Sequence, residues 1–91
     1  MIFEYDENKS NSNKLKHGIN FEEAKELWTD PYAFEIQSNN NTDEERYLVL
    51  GQITSNLYTA IITYRLNNIR IISVRRSRQK EIEIYESLRI R

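Results

Sequence analysis

Three segments in the second half of the chain, RYLVLGQI, LYTAIITYR and IRIISVR, are separated only by Thr54-Ser55-Asn56 and Leu66-Asn67-Asn68. Each is rich in β-branched and aromatic residues, and connections this short between strands impose antiparallel hairpins. A three-strand meander is therefore predicted over residues 46–76. In its middle member Tyr58, Ala60, Ile62 and Tyr64 alternate with Leu57, Thr59, Ile61, Thr63 and Arg65. Both sets are partly apolar, so this strand belongs inside a sheet with helices on at least one side.

The flanking sequence supplies those helices. Ile2 to Tyr5 is a short apolar and aromatic run that can open a sheet, and Asp6 then stands at a helix N-cap position. The following ENKSNSNKLKH has Leu15 as its only strong apolar residue, so periodicity gives a helix there little support. Its end is better marked, because Gly18 after Lys16 and His17 supplies the glycine and the basic last turn of a helix terminus. Asn20 and Glu23 form a capping box, Ile19 can staple onto Ala24, and Phe21, Ala24, Leu27 and Trp28 recur at helical spacing. A second helix is predicted, with Trp28 in the core, ending at Asp30-Pro31 because the residue before proline avoids helical backbone.

YAFEI reads as another strand, and QSNNNTDEE as a polar loop expected to be mobile. From Ser77, the predicted N-cap, Ile82, Tyr85 and Leu88 fall at i, i+3 and i+6, and Ile84 widens the stripe. This predicts an amphipathic C-terminal helix with Tyr85 in the core. The fold class is then α+β: one antiparallel sheet of about four to five strands, two N-terminal helices and a C-terminal helix.

A length of 91 residues without internal repeats fits a single domain, residues 1–91. Such a chain buries only roughly 60–65% of its unfolded surface, so each large apolar residue matters and partner binding can add stability. With no cysteine there is neither a disulfide framework nor a thiolate zinc site. No apolar run approaches the roughly 18 residues of a membrane span, and MIFEYDENKS turns acidic where a signal peptide would be basic and then apolar. A cytoplasmic protein without membrane contact is the simplest expectation.

The net charge of -1 conceals a polarity along the chain. Residues 1–45 carry four Lys against eleven Asp and Glu, whereas residues 46–91 carry eight Arg and one Lys against three Glu. Arginine is suited to bidentate phosphate contacts and to base stacking, which makes a polyanion a plausible ligand; a solvated strand edge and helix face is the plainer reading. The charge concentrates in RIISVRRSRQKE, where Arg70, Arg75, Arg76, Arg78 and Lys80 precede Glu81. On strict alternation Arg70, Ile72, Val74 and Arg76 share one face of the strand and Ile69, Ile71, Ser73 and Arg75 the other. Arg65 closes the preceding strand at the far end of the shared hairpin from Arg75.

For an RNA ligand, cleavage without a metal requires a base for the 2′-hydroxyl proton, a cation for the phosphorane charge and an acid for the departing 5′ oxygen. Histidine is the side chain whose ordinary pKa lies near neutrality, and His17 is the only one here. Glu81 among Arg and Lys would ionise readily. The basic half contains no Asp/Glu/His set with metal-ligand spacing, and no cofactor is implied. With Gly18 and Gly51 as the only glycines there is no phosphate loop, and no Ser-His-Asp signature is present. Structural readings stand beside these: His17 against the helix dipole, Glu81 in the first turn of its helix, Arg70 as a charge that protects a strand edge.

FEYD at Phe3 to Asp6, Lys9, Asn13, KHGI at Lys16 to Ile19, FEEA at Phe21 to Ala24, Asp30-Pro31, EERY at Glu44 to Tyr47, Gly51, RIISVRRSRQKE and Tyr85 carry a resemblance over nearly the whole chain. In order and spacing they resemble the BrnT-type toxins of bacterial type II toxin–antitoxin modules, small proteins with a RelE-like ribonuclease fold. The resemblance implies an RNA-cleaving toxin that inhibits translation. It also implies a BrnA-type antitoxin with a ribbon–helix–helix DNA-binding part, through which the pair reaches operator DNA and represses its own operon. Arg65, Arg75, Lys80 and Glu81 match the family's active surface, with His17 and Lys16 in support. Arg70, Arg76 and Arg78 join Lys16 and Lys80 as expected RNA contacts. The family often has alanine where Ser77 stands and arginine where Ile82 stands, which leaves one phosphate contact fewer. A non-catalytic basic face that docks an acidic protein segment or nucleic acid is the alternative.

Overall fold

The computed structural model of the chain describes residues 1–38 and 43–89. Part of the predicted polar loop, residues 39–42, lies outside the described residues. Chain order runs β1 (Phe3–Glu4), α1 (Glu7–His17), α2 (Phe21–Ala24), a 3₁₀ segment (Lys25–Thr29), β2 (Phe34–Gln37), β3 (Tyr47–Ile53), β4 (Asn56–Arg65), β5 (Asn68–Arg76) and α3 (Gln79–Arg89).

The strands form one sheet in the order β1-β5-β4-β3-β2, so the meander occupies its centre and β4 its middle. Both hairpin turns are tighter than predicted, because Asn56 pairs with Ile53 and Asn68 with Arg65, leaving two residues in each. Leu66 and Asn67 both take positive φ, the mirror-image turn whose twist matches that of the flanking strands. The sheet is not wholly antiparallel: β1 runs parallel to β5, with Phe3 opposite Ile69. A two-residue strand after which the chain leaves through a helix can return alongside β5 in this direction, and nothing in its local pattern announces the partner.

Strict alternation also fails along β5. The ladder steps from Ile61 opposite Ser73 to Ile62 opposite Ile71, so Ile72 is an unpaired bulge residue. Ile69, Ile71 and Val74 consequently point to the same face and join the buried core with Val49, Ala60 and Ile62. Arg75 is moved onto the opposite face, beside its pairing partner Thr59.

The N-terminal caps follow the sequence. Asp6 accepts from the backbone N–H groups of Asn8 and Lys9, and Gly18 closes α1 at φ 76, donating to Lys14. Asn20 and Glu23 cap each other's backbone at 2.8 and 2.9 Å. The second predicted helix differs in kind: after a single α turn the chain tightens to 3₁₀ winding as far as Thr29. Phe21, Ala24 and Leu27 are all buried at a spacing of three, which three residues per turn align on one face. Leu27 then lies so close to β3 that a Cβ on Gly51 would stand 3.1 Å from its Cδ2. Trp28 is half-buried, edge-on to Phe3 with ring centroids 4.9 Å apart.

α3 covers the opposite face of the sheet, but not with the predicted stripe. Glu81 and Tyr85 are its buried residues, while Ile84 and Leu88 are 41% and 37% exposed. None of its helices is long and apolar enough to cross a membrane among the described residues.

Candidate functional site

Two cationic regions flank β5, and a single amide builds the first. Beyond Arg70, β5 has no strand on its outer side, so the outward N–H and C=O of Val74 need other partners. Asn13 of α1 provides both: its Oδ1 accepts from the Val74 N–H at 3.2 Å, and its Nδ2 donates to the Val74 carbonyl at 2.8 Å. The same Nδ2 donates to the Ile19 carbonyl, and Ser10 accepts from the Phe21 N–H. α1 is thus held by polar contacts, with Ser10 and Asn13 as its buried residues. That explains why its apolar periodicity is so poor.

Lys9, Asn13, Lys16 and His17 fall at i, i+4, i+7 and i+8, on one side of α1. Fixing Asn13 against Val74 therefore brings the three basic side chains to the β5 edge. A groove of about 180 Å³ lies there, lined by Lys9, Ser12, Lys16 and His17 from the helix and by Ile72 and Ser73 at the bulge. Among the described residues, none of these three basic side chains is spent on a hydrogen bond or ion pair. Lys16 and His17 were predicted as site residues; Lys9, Ser12 and Ser73 were not. Helical spacing from Asn13 was the signal that could have found Lys9.

The second region is the junction between β5 and α3, and here the largely buried arginine and carboxylate are spent on each other. Arg75 reaches Glu81 through two parallel bonds of 2.8 Å. Oε1 of Glu81 also accepts from the Arg78 N–H at 2.8 Å and from the Thr59 hydroxyl at 2.9 Å, and Thr59 is bonded in turn to Ser77. The side chains of Arg75 and Glu81 are only 18% and 11% exposed. The paired guanidinium, with the Arg78 N–H and Thr59 hydroxyl, outweighs burial and holds the Glu81 carboxyl down to about 2; the Arg75 guanidinium is raised by the same bond to Glu81. Glu81 is thereby the third residue of α3, reaching back to the N–H of Arg78. The N-cap position falls at Arg78 rather than at the predicted Ser77, whose hydroxyl is turned to Thr59.

The remaining predicted residues are dispersed. Arg70 pairs with Glu4 at 3.2 Å, and Arg76 lies over the Tyr58 ring at 5.7 Å. Arg78 and Lys80 are exposed at the start of α3. Arg65 pairs with Glu44 at 3.1 Å, at the far end of the hairpin. It lies six residue steps along β4 from Thr59, which pairs with Arg75, a distance of about 20 Å along the strand. The structure brings Arg75 and Glu81 together and leaves Arg65 apart from them.

The far end of α3 is fixed by an acid that sequence reading treated only as a helix stop. Asp30 accepts from the Tyr85 hydroxyl at 2.6 Å, from the Gln52 N–H at 2.8 Å and from the Tyr32 N–H at 2.9 Å. Burial pushes the Asp30 carboxyl up, but these bonds prevail and hold it below its usual value. Burial, reinforced by Asp30, pushes the Tyr85 phenol up to about 12.

The fold is thus a small α+β domain with an open groove lined by Lys9, Lys16 and His17 at one strand edge. The family described as the ribonuclease toxin, BrnT, of type II toxin–antitoxin systems matches residues 5–81, and the chain belongs to that family. Membership makes it a ribonuclease toxin with RNA as substrate and an antitoxin as partner. No match is found among curated proteins.

Proposed function

We propose that the chain is a metal-independent endoribonuclease on a RelE-like scaffold, cleaving RNA at the groove between α1 and β5. The observation that carries this reading is the presence of Lys9, Lys16 and His17, uncommitted by the fold, above the β5 bulge. His17 takes the proton of a 2′-hydroxyl; the 2′ oxygen attacks phosphorus, the bond to the 5′ oxygen breaks, and that oxygen takes a proton from water, leaving a 2′,3′-cyclic phosphate and a 5′-hydroxyl. Lys9 and Lys16 stabilise the phosphorane charge, while Arg75 and Glu81 are spent on each other at the β5–α3 junction and Glu81 moves no proton. A carboxyl held down to about 2 and accepting four hydrogen bonds is a poor base near neutrality. Arg70, Arg76, Arg78 and Lys80 extend the contact along the RNA backbone, with Arg65 as an outlying contact.

Cleavage inhibits translation, and a BrnA-type antitoxin of the ribbon–helix–helix class neutralises the toxin and represses the operon together with it. The test is incubation of the purified chain with RNA in EDTA. Fragments carrying cyclic-phosphate ends are expected; RNA that stays intact while binding in a salt-sensitive way would make the surface a docking face instead.

A further inference from the structure

The buried side of α3 ends at a second site. Glu81, Tyr85 and Arg89 follow one another at i, i+4 and i+8, so the stripe that anchors α3 to Arg75 and Asp30 continues to Arg89. Arg89 donates to Gln52 at 3.0 Å and lies 5.7 Å from the centre of the Tyr32 ring. Together with Pro31 and Thr54 these residues line an open cavity of about 270 Å³.

Tyr32 is the unusual member. Its residue is 50% exposed, yet its backbone is held firmly: Asp30 Oδ1 accepts the Tyr32 N–H at 2.9 Å, and the Ala33 N–H closes the turn onto the Asp30 carbonyl at 3.0 Å. Pro31 fixes a further backbone angle. An aromatic ring carried on an anchored turn is left half in water, with Arg89 near it. It is what a stacking platform requires, because a base can settle on it with little ordering cost.

The electrostatics favour a base over a phosphate. Among the described residues Arg89 is the one cation lining the cavity, and Asp30, its carboxyl held below the usual value, lines it as well. A phosphate would meet both; a neutral aromatic ring would meet a guanidinium and a phenol. Tyr85 and Arg89 stand four and eight residues beyond Glu81, so the cavity lies about 6–12 Å along α3 from the Arg75–Glu81 junction.

We propose that this cavity captures one unstacked nucleobase of a single-stranded RNA, on Tyr32 and beside Arg89, apart from the bond that is cut. The inference rests on RNA being the substrate at the α1–β5 groove. It assigns the substrate as single-stranded at that position, since a paired base cannot leave its stack to enter.

The test uses an RNA octamer with every 2′ oxygen methylated, which cannot be cleaved by 2′-hydroxyl attack. Its affinity is measured at fixed salt for wild type, Tyr32→Ala and Tyr32→Phe, with a set of octamers each carrying one abasic position. Tyr32→Ala is expected to weaken binding about 5- to 50-fold and Tyr32→Phe to keep it within about twofold. One abasic position should weaken wild type by a similar factor and leave Tyr32→Ala unaffected. Equal affinity for Tyr32→Ala and wild type, or no abasic position that Tyr32 discriminates, overturns the proposal. Wild-type cleavage of ordinary RNA is followed in parallel. If cleavage occurs while binding ignores Tyr32, the base site alone is lost; if RNA is neither bound nor cut, the ribonuclease reading falls with it.

Discussion

The two basic regions beside β5 use the same residue types for opposite ends. At the junction with α3, Arg75 and Glu81 saturate each other, and Thr59, Ser77 and the Arg78 backbone complete the set. In the groove along α1, Asn13 alone is consumed by structure, and it holds Lys9, Lys16 and His17 where their charge is available. A dense cluster of charge in the sequence is therefore a poor guide to reactivity. On the proposed reading the chemistry lies in the groove, where His17 is left free of the fold.

The contrast predicts that substitutions will separate activity from stability. The largest effect is expected for His17→Ala, with RNA cleavage falling about 10²- to 10⁴-fold while the thermal unfolding midpoint stays put. An unchanged cleavage rate would remove His17 from the mechanism. Next, Asn13→Leu strands the N–H and C=O of Val74 and the Ile19 carbonyl, a loss of about 2–4 kcal/mol measured by urea unfolding. Cleavage should fall with it, because the cationic side of α1 is no longer registered on the strand.

Glu81→Gln bears most directly on the comparison. Leaving Arg75 largely buried beside a neutral amide should cost about 2–3 kcal/mol. Cleavage per folded molecule should change by less than about tenfold; a loss as deep as that of His17→Ala would transfer the proton to Glu81. The acid limb offers a second readout. The Glu81 carboxyl goes from an ordinary 4.5 to about 2 on folding, so its stabilisation is fully present above about pH 4.5 and drains away as the pH falls toward 2. Wild type and Glu81→Gln should converge in stability across that window. The smallest effect, about 1 kcal/mol, belongs to Tyr85→Phe, which leaves Asp30 its two backbone donors.

What could be read in the sequence was local. The meander, the Asn20–Glu23 box and the left-handed Gly18 each announce themselves within a few neighbouring residues, and each is found. The features missed depend on partners far along the chain. β1 gives no hint that it will run parallel to β5, and the bulge at Ile72 reverses which arginine faces α3. Asp30 and Tyr85 meet across 55 positions. α1 was faint because it attaches through Ser10 and Asn13, and a hydrophobic pattern cannot register a helix held by hydrogen bonds. The start of α3 was displaced by one residue because Ser77 is a good cap by type, whereas Glu81 fixes the cap position by reaching Arg78. Lys16 and His17 were legible as candidates; the groove they line was not, since it depends on the bulge.

The amide of Asn13 has one more effect, on what the sheet can become. An open strand edge is a template on which other chains can add, and the stretch of β5 beyond Arg70 would be one. Asn13 answers Val74 there as a neighbouring strand would, without offering a further edge of its own. Another chain can pair along that stretch only if α1 first lets go. Polymerisation through this edge is therefore tied to the melting of a single short helix, and the residues that melt with it are those that hold the cationic groove in shape.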